Sequence, residues 1–264
     1  IPLPTGIRKE WVIRAAEAGK HILCEKPCGL DAVEVAEITE ACRRANVQFM
    51  DGVMFMHSLR LNRLREVIND GVSIGELRRI DSQFSFRAPD DFLQSNLPVR
   101  SELEPLGCLG DLGWYNVRFS LWAMNYEMPT AVTAQLLHMH GRSDSPEAVP
   151  TELSGELRFS GGVSAGFFCS FLAEHNQSAL ISGTKGYVHL NDFVLPFSGD
   201  RTSFVVEKTK FVVQGCDFSM QRHAHEIQIQ EHSHGHPDAQ ESLLFRTFGD
   251  LVLSGNVDHT WAEI

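Results

Sequence analysis

Between residues 5 and 53 the hydrophobic pattern alternates between helical and extended spacing, and that alternation limits the fold more than any other feature of the 264-residue chain. Ile7, Trp11, Ala15 and Ala18 recur at helical intervals until Gly19 ends the run, as a glycine at a helix C-terminus does. Lys20 to Cys24 is short and apolar, the mark of a strand. A second helix opens at Asp31, whose carboxylate can cap while Glu34 closes the box three residues on, with Val35, Ile38 and Cys42 along one face. Val47 to Val53 reads as a buried strand. Helix, strand, helix, strand is the signature of a parallel, doubly wound sheet, whose sites lie outside the carboxyl ends of its strands. Glu25-Lys26-Pro27 stands at such an end.

Beyond Leu59 the pattern changes. A helix through Leu64 and Val67 ends near Gly71, and Leu77 to Phe86 alternates as a half-buried strand. From Val132 onward strands dominate. Glu152–Phe159 and Val163–Phe171 flank the turn Ser160-Gly161-Gly162, and Ala179–Ser182 and Tyr187–Leu190 flank Gly183-Thr184-Lys185-Gly186, two hairpins by spacing. Runs of strands after a βαβ segment predict an α+β domain with one large, mostly antiparallel, open-faced sheet. Residues 1–53 and 54–264 are therefore expected to form separate domains. Phe167, Cys169 and Phe171 need a cover, either helices or a second subunit, so a homo-oligomer through the open sheet face is expected.

Charge narrows the partners. Twenty-three basic and 34 acidic residues leave a formal net charge of -11, which repels nucleic acid and anionic membrane surfaces, and no basic cluster offsets it. No apolar run of membrane-spanning length occurs. The six cysteines show neither a CxxC pair nor the spacing of a secreted scaffold, which points to reduced thiols and a cytoplasmic location.

The segment Ala18-Gly19-Lys20-His21-Ile22-Leu23-Cys24-Glu25-Lys26-Pro27 closely resembles the AGKHVxxEKP signature of the glucose-fructose oxidoreductase, inositol dehydrogenase and rhizopine-catabolism (Gfo/Idh/MocA) family, and the resemblance runs on to the Gly183–Gly186 turn. It implies a Rossmann-type sheet in residues 1–53, NAD or NADP as cofactor, and hydride transfer to or from a sugar, cyclitol or related polyol. Such chemistry needs a hydride acceptor, a group that exchanges the hydroxyl proton, and positive charge against a developing alkoxide; a lysine can supply the last two. The matching family lysine is Lys26, and the proline after it often has a cis bond. Pro4, Glu25, Lys26 and Pro27 are the expected cofactor contacts.

Gly107-Cys108-Leu109-Gly110-Asp111-Leu112-Gly113-Trp114-Tyr115 resembles the family's GGGxLxDxGxH/Y element, whose last position transfers the proton. Here that position is Tyr115, and a phenol beside Lys26 can be drawn toward neutrality. Asp111, four residues earlier, shares a face with Tyr115 if both are helical, and can orient it or bind substrate. Lys26, Tyr115 and Asp111 are the expected catalytic set, with Trp114 beside substrate. Pro105 and Leu106 replace the first two family glycines, which alters the loop path. His57, where the chain crosses between domains, is expected to face the nicotinamide. The polar loop carrying Arg87, Asn96 and Arg100 is expected to line a sugar pocket.

Two features stand apart. His223, His225, His232, His234 and His236 have spacings that suit zinc or nickel, but the resembled family requires no metal there; the segment reads as a polar loop before a helix over 237–253, and no metal is expected. No GxGxxG occurs, so the phosphate-binding units expected before Pro2, roughly 75 residues at about 30 per unit, are read as absent, and residues 258–264 as the start of a further helix. Two alternatives stay open: an NAD-dependent glycoside hydrolase of the same fold, which Tyr115 in place of histidine argues against, and a non-catalytic sensor or assembly protein, which the presence of both Lys26 and Tyr115 argues against.

Overall fold

A computed structural model describes residues 1–95 and 99–258. Asn96 and the helical turn expected past residue 258 fall outside that range. The first unit runs α1 (Thr5–Glu17), β1 (Ile22–Cys24), α2 (Ala32–Arg44) and β2 (Phe49–Asp51), with β1 and β2 parallel and Cys24 opposite Asp51. Asp31 accepts the Glu34 amide at 2.8 Å, as its sequence position predicts, while the Glu34 carboxylate reaches the amide of Leu30 at 2.9 Å. In α1 the apolar stripe that reveals the helix is not the face it buries. Ile7 and Trp11 are exposed, and the buried positions are Thr5, Arg8, Val12 and Ala16, because Arg8 is consumed by backbone carbonyls.

The second unit begins with a 3-10 turn, Met54–His57, and continues through α3 (Leu59–Asn69), β3 (Leu77–Ser85), α4 (Asp90–Ser95), a π-helical turn at Leu109–Gly113 and α5 (Trp114–Ala123). Seven strands follow: β4 (Ala131–His140), β5 (Val149–Arg158), β6 (Ser164–Ser170), β7 (Ala179–Gly183), β8 (Tyr187–Leu190), β9 (Arg201–Gln214) and β10 (Asp217–Gln230), then α6 (Gln240–Ser254). They build an eight-stranded sheet in the order β10-β9-β8-β7-β3-β6-β5-β4, antiparallel except for the β3–β6 pair. Both expected hairpins are present, β5 with β6 and β7 with β8.

Phe167, Cys169 and Phe171 are buried beneath the helical layer formed by the π-turn and α5, so they are not available to a second subunit. The opposite face is a groove of about 1190 Å³ lined with charge, in which Arg79 bonds Asp81 and Glu156, and Arg222 bonds Glu207. Apolar side chains fall into two clusters. One gathers Val12, Ala16, Ile22, Cys24, Ile38, Cys42 and Phe49; the other begins at Val53 and fills the space between helices and sheet. Trp114 touches both. Asp258 returns to the first unit, exchanging hydrogen bonds of 2.7 and 3.0 Å with Gln48. Among the described residues no helix is long and apolar enough to cross a membrane.

The loop between β3 and the π-turn differs from expectation. It carries α4, whose Phe92 packs on Phe86 and Phe171 at 5.4 and 5.5 Å, so apolar contact rather than polar lining organises it. The histidine-rich segment is likewise only partly loop. His223 and His225 lie within β10, where strand pairing with β9 takes up their backbone, and α6 begins at Gln240 rather than at Pro237.

Candidate active site

The β1 strand ends at Cys24 and delivers Glu25, Lys26 and Pro27 to the seam between the two units, with a cis bond between Lys26 and Pro27. Across the seam the π-turn presents Asp111. Lys26 Nζ donates to Asp111 Oδ1 at 2.6 Å and to the Asp111 carbonyl at 2.7 Å, with the lysine side chain only 13 % exposed and the carboxylate 32 %. A charge-assisted contact of this length in a partly dry seam fixes the ammonium more firmly than a surface pair would. Two glycines make the approach possible. Gly107 has φ +49°, and a Cβ there would overlap the Pro150 carbonyl; at Gly110 a Cβ would press on Leu106 and Pro27.

Tyr115 stands beneath the pair. Lys26 Nζ lies 4.9 Å from the centroid of its ring, so the cation meets the aromatic face rather than the hydroxyl. The hydroxyl points instead to Met54 Sδ at 3.7 Å, and the ring packs edge-on against Phe84 at 5.5 Å. Two expectations are corrected here. Asp111 does not orient Tyr115: the π-turn ends between them, and the carboxylate turns to Lys26. The phenol is not drawn toward neutrality either. Burial pushes it well above its ordinary value, and the negative charges of Asp111, Glu25 and Glu241 add to the effect. Burial thus favours the neutral phenol over the phenolate.

The other expected contacts divide. Pro4 directly precedes α1, and Glu25 accepts the Lys26 amide at 3.3 Å, so both stand with Pro27 along the first unit's edge of the seam. Burial, reinforced by Arg118, lowers the His57 imidazole to about 4. Arg100 is drawn to Glu102, and Arg87 is exposed. Trp114 carries a buried indole Nε1 with no hydrogen-bond partner. An unmet donor at the junction of the two clusters, next in sequence to Tyr115, fits a site completed by a polar ligand.

Three residues went unnoticed in the sequence. Arg8 is buried and bonds the carbonyls of Leu3 and Pro27, tying the segment before α1 to the lysine loop. Glu104 receives the Thr5 amide at 2.9 Å and the Thr5 hydroxyl at 2.6 Å, and so docks the second unit on the start of α1. The His175 ring stands 6.4 Å from that of Phe84, which in turn touches Tyr115. A basic residue in the first half of an amphipathic helix is usually solvated, so the position of Arg8 carried no signal of this role.

Residues 1–53 match the sequence profile of the oxidoreductase family with an NAD-binding Rossmann fold, and residues 61–189 match the GFO/IDH/MocA C-terminal domain. The chain belongs to the GFO/IDH/MocA family. Within it, the chain is 30% identical over 202 residues to trans-1,2-dihydrobenzene-1,2-diol dehydrogenase of Mus musculus, covering 74% of this chain and 56% of that protein. D-xylose 1-dehydrogenase (NADP(+)) 2 of Haloferax volcanii is 30% identical over 192 residues, covering 72% and 55%. The chain thus spans about half the length of these GFO/IDH/MocA relatives. The fold is shared with KijD10, a 3-ketoreductase from Actinomadura kijaniata crystallised with NADP and TDP-benzene, at a TM-score of 0.81 and 24% identity over 100% of this chain and 72% of that one.

Proposed function

We propose that the protein is an NAD(P)-dependent oxidoreductase transferring hydride between a nicotinamide and a sugar, cyclitol or related polyol or carbonyl substrate. The observation that carries this is the Lys26–Asp111 pair over a buried, protonated Tyr115 at the carboxyl end of β1. The names of GFO/IDH/MocA relatives, a diol dehydrogenase and a xylose dehydrogenase, support the class of substrate. Pro4, Glu25, Lys26 and Pro27, with His57, would hold NAD or NADP, and that cofactor would supply the hydride acceptor or donor.

The chain's own residues handle charge and the proton. Lys26 donates a hydrogen bond to the substrate oxygen and stabilises negative charge as it develops. Asp111 positions the ammonium. Tyr115, a neutral phenol, gives its proton to the oxygen of a carbonyl being reduced and recovers it in the reverse direction. Trp114 offers its unmet indole N–H to substrate. Residues 1–53 and 54–264 act as the two jaws of the site, each with its own apolar cluster. Five buried, unpaired cysteines support a reducing, cytoplasmic setting, and the exposed apolar side chains Val132, Leu136, Leu137 and Met139 of the edge strand β4 support a homo-oligomer.

The test is turnover of aldoses, polyols and inositols with each nicotinamide by the full-length protein. Lys26→Met is expected to lower kcat by about 10²–10³-fold, and Tyr115→Phe by about 10²-fold or more. Unchanged rates in both variants would refute the assignment.

A further inference from the structure

The segment joining β10 to α6 folds back on itself more tightly than a plain polar loop. His234 and Gly235 have φ +58° and +66°, two successive left-handed residues that reverse the chain. The reversal lays the ring of His236 on that of His232, with centroids 3.7 Å apart and planes 21° from parallel. Both Nδ1 atoms then aim at one carboxylate. His232 Nδ1 lies 3.0 Å from each oxygen of Asp238, and His236 Nδ1 lies 2.5 Å from Oδ1. Two imidazoles and a carboxylate converge with all three donor atoms within 4.8 Å.

The surroundings hold this arrangement in place from both sides. Glu231, fully buried, accepts from the Ser58 hydroxyl at 2.9 Å and the Arg60 amide at 3.2 Å, so the residue before His232 is locked to the start of α3. Ser233 pairs with Gly199 through its amide and hydroxyl, and His234 turns away to Ser198 at 2.6 Å. Beyond Asp238, the Gln240 side chain donates to the Val194 carbonyl at 2.8 Å. The donors are therefore displayed on an anchored turn that remains open to solvent.

We infer that His232, His236 and Asp238 form a binding site for a divalent transition-metal ion of the zinc or nickel class. Such ions take imidazole nitrogen and carboxylate oxygen at about 2.0–2.2 Å, which sets neighbouring donors about 3 to 3.5 Å apart; His232 Nδ1 already stands 3.0 Å from Asp238, and His236 Nδ1, at 2.5 Å, has to withdraw by under about an ångström. On binding, the ion takes the Nδ1 lone pair of each ring and the ring proton sits on Nε2, so both imidazoles stay neutral and Asp238 supplies the single negative charge. The ion sits outside the hydride-transfer site and independent of it. It clips the end of β10 to the start of α6, the helix that packs on the Met54–His57 turn.

The deciding measurement is calorimetric titration of the tag-free full-length protein with zinc chloride and with nickel chloride near neutral pH. One saturable equivalent is expected. His232→Gln and His236→Gln should each weaken it at least about tenfold, whereas the double change His223→Gln, His225→Gln should leave it intact. Absence of saturable binding, an unchanged isotherm in His236→Gln, or loss of binding in the His223/His225 control overturns the assignment. X-ray absorption on the zinc-loaded wild type gives an answer free of any folding defect in a variant: two imidazole ligands support the site, and a shell without imidazole rejects it.

Discussion

The seam around Lys26 and the turn around Asp238 use the same chemistry, a carboxylate holding nitrogen groups, in opposite settings. Lys26 and Asp111 are 85 positions apart and meet across two apolar clusters, above a tyrosine whose proton is held by burial. His232, His236 and Asp238 come from seven consecutive residues on one anchored turn, with side chains 33 %, 47 % and 32 % exposed. The first site exists only when the whole fold exists, and burial favours the neutral form of its phenol. The second is a local product of two left-handed residues, and its charges are screened. Long-range packing thus separates a site that only the whole fold assembles from one that a single turn brings together.

The contrast breaks most readily at histidine. Imidazole ordinarily titrates near 6.5, and burial with Arg118 nearby lowers that of His57 to about 4. Above the ordinary value His57 is neutral in both folded and unfolded chains. As the pH falls from 6.5 toward 4 the unfolded chain binds a proton that the folded protein refuses, so stability is lost across that window, by about 3 kcal/mol in all. Urea unfolding near pH 7 and near pH 4.5 should show a smaller acid loss in His57→Gln than in wild type; an equal loss would mean that His57 is wetter than its packing implies.

A smaller effect is expected at Asp111. Asparagine keeps an oxygen for Lys26, and the backbone carbonyl remains, so Asp111→Asn should cut kcat about tenfold, roughly 1.4 kcal/mol, with little change in KM. The smallest effect belongs to the solvated turn: without metal, His236→Gln should move Tm by less than about 2 °C. A larger drop would show that the stacked rings are a packing element and would erase the difference between the two sites.

Much of the fold was legible because short-range rules govern it. Alternating periods between residues 5 and 53 marked α1, β1, α2 and β2, and turn residues at 160–162 and 183–186 placed both hairpins. The candidate site was legible as far as its motifs reached: Lys26, Asp111 and Tyr115 do come together. The pairing within it was not. Helical spacing placed Asp111 with Tyr115, but the extra residue per turn in the Leu109–Gly113 π-turn rotates the carboxylate toward Lys26. Arg8 escaped because its partners are carbonyls, which every residue carries and no sequence pattern singles out.

What the sequence determined by itself was the order of elements and the identity of Lys26 and Tyr115 as the residues that meet, since periodicity, turn chemistry and a ten-residue signature are local properties. Tertiary structure decided which way each side chain is used. Phe167, Cys169 and Phe171 went beneath helices rather than to a partner, Tyr115 kept its proton, and Asp238 gathered two of five histidines while β10 took two others into its ladder. Each outcome depends on what lies within a few ångströms through space, where exclusion of water and the placement of opposite charges set the energies, and neither is written in the spacing of residues along the chain.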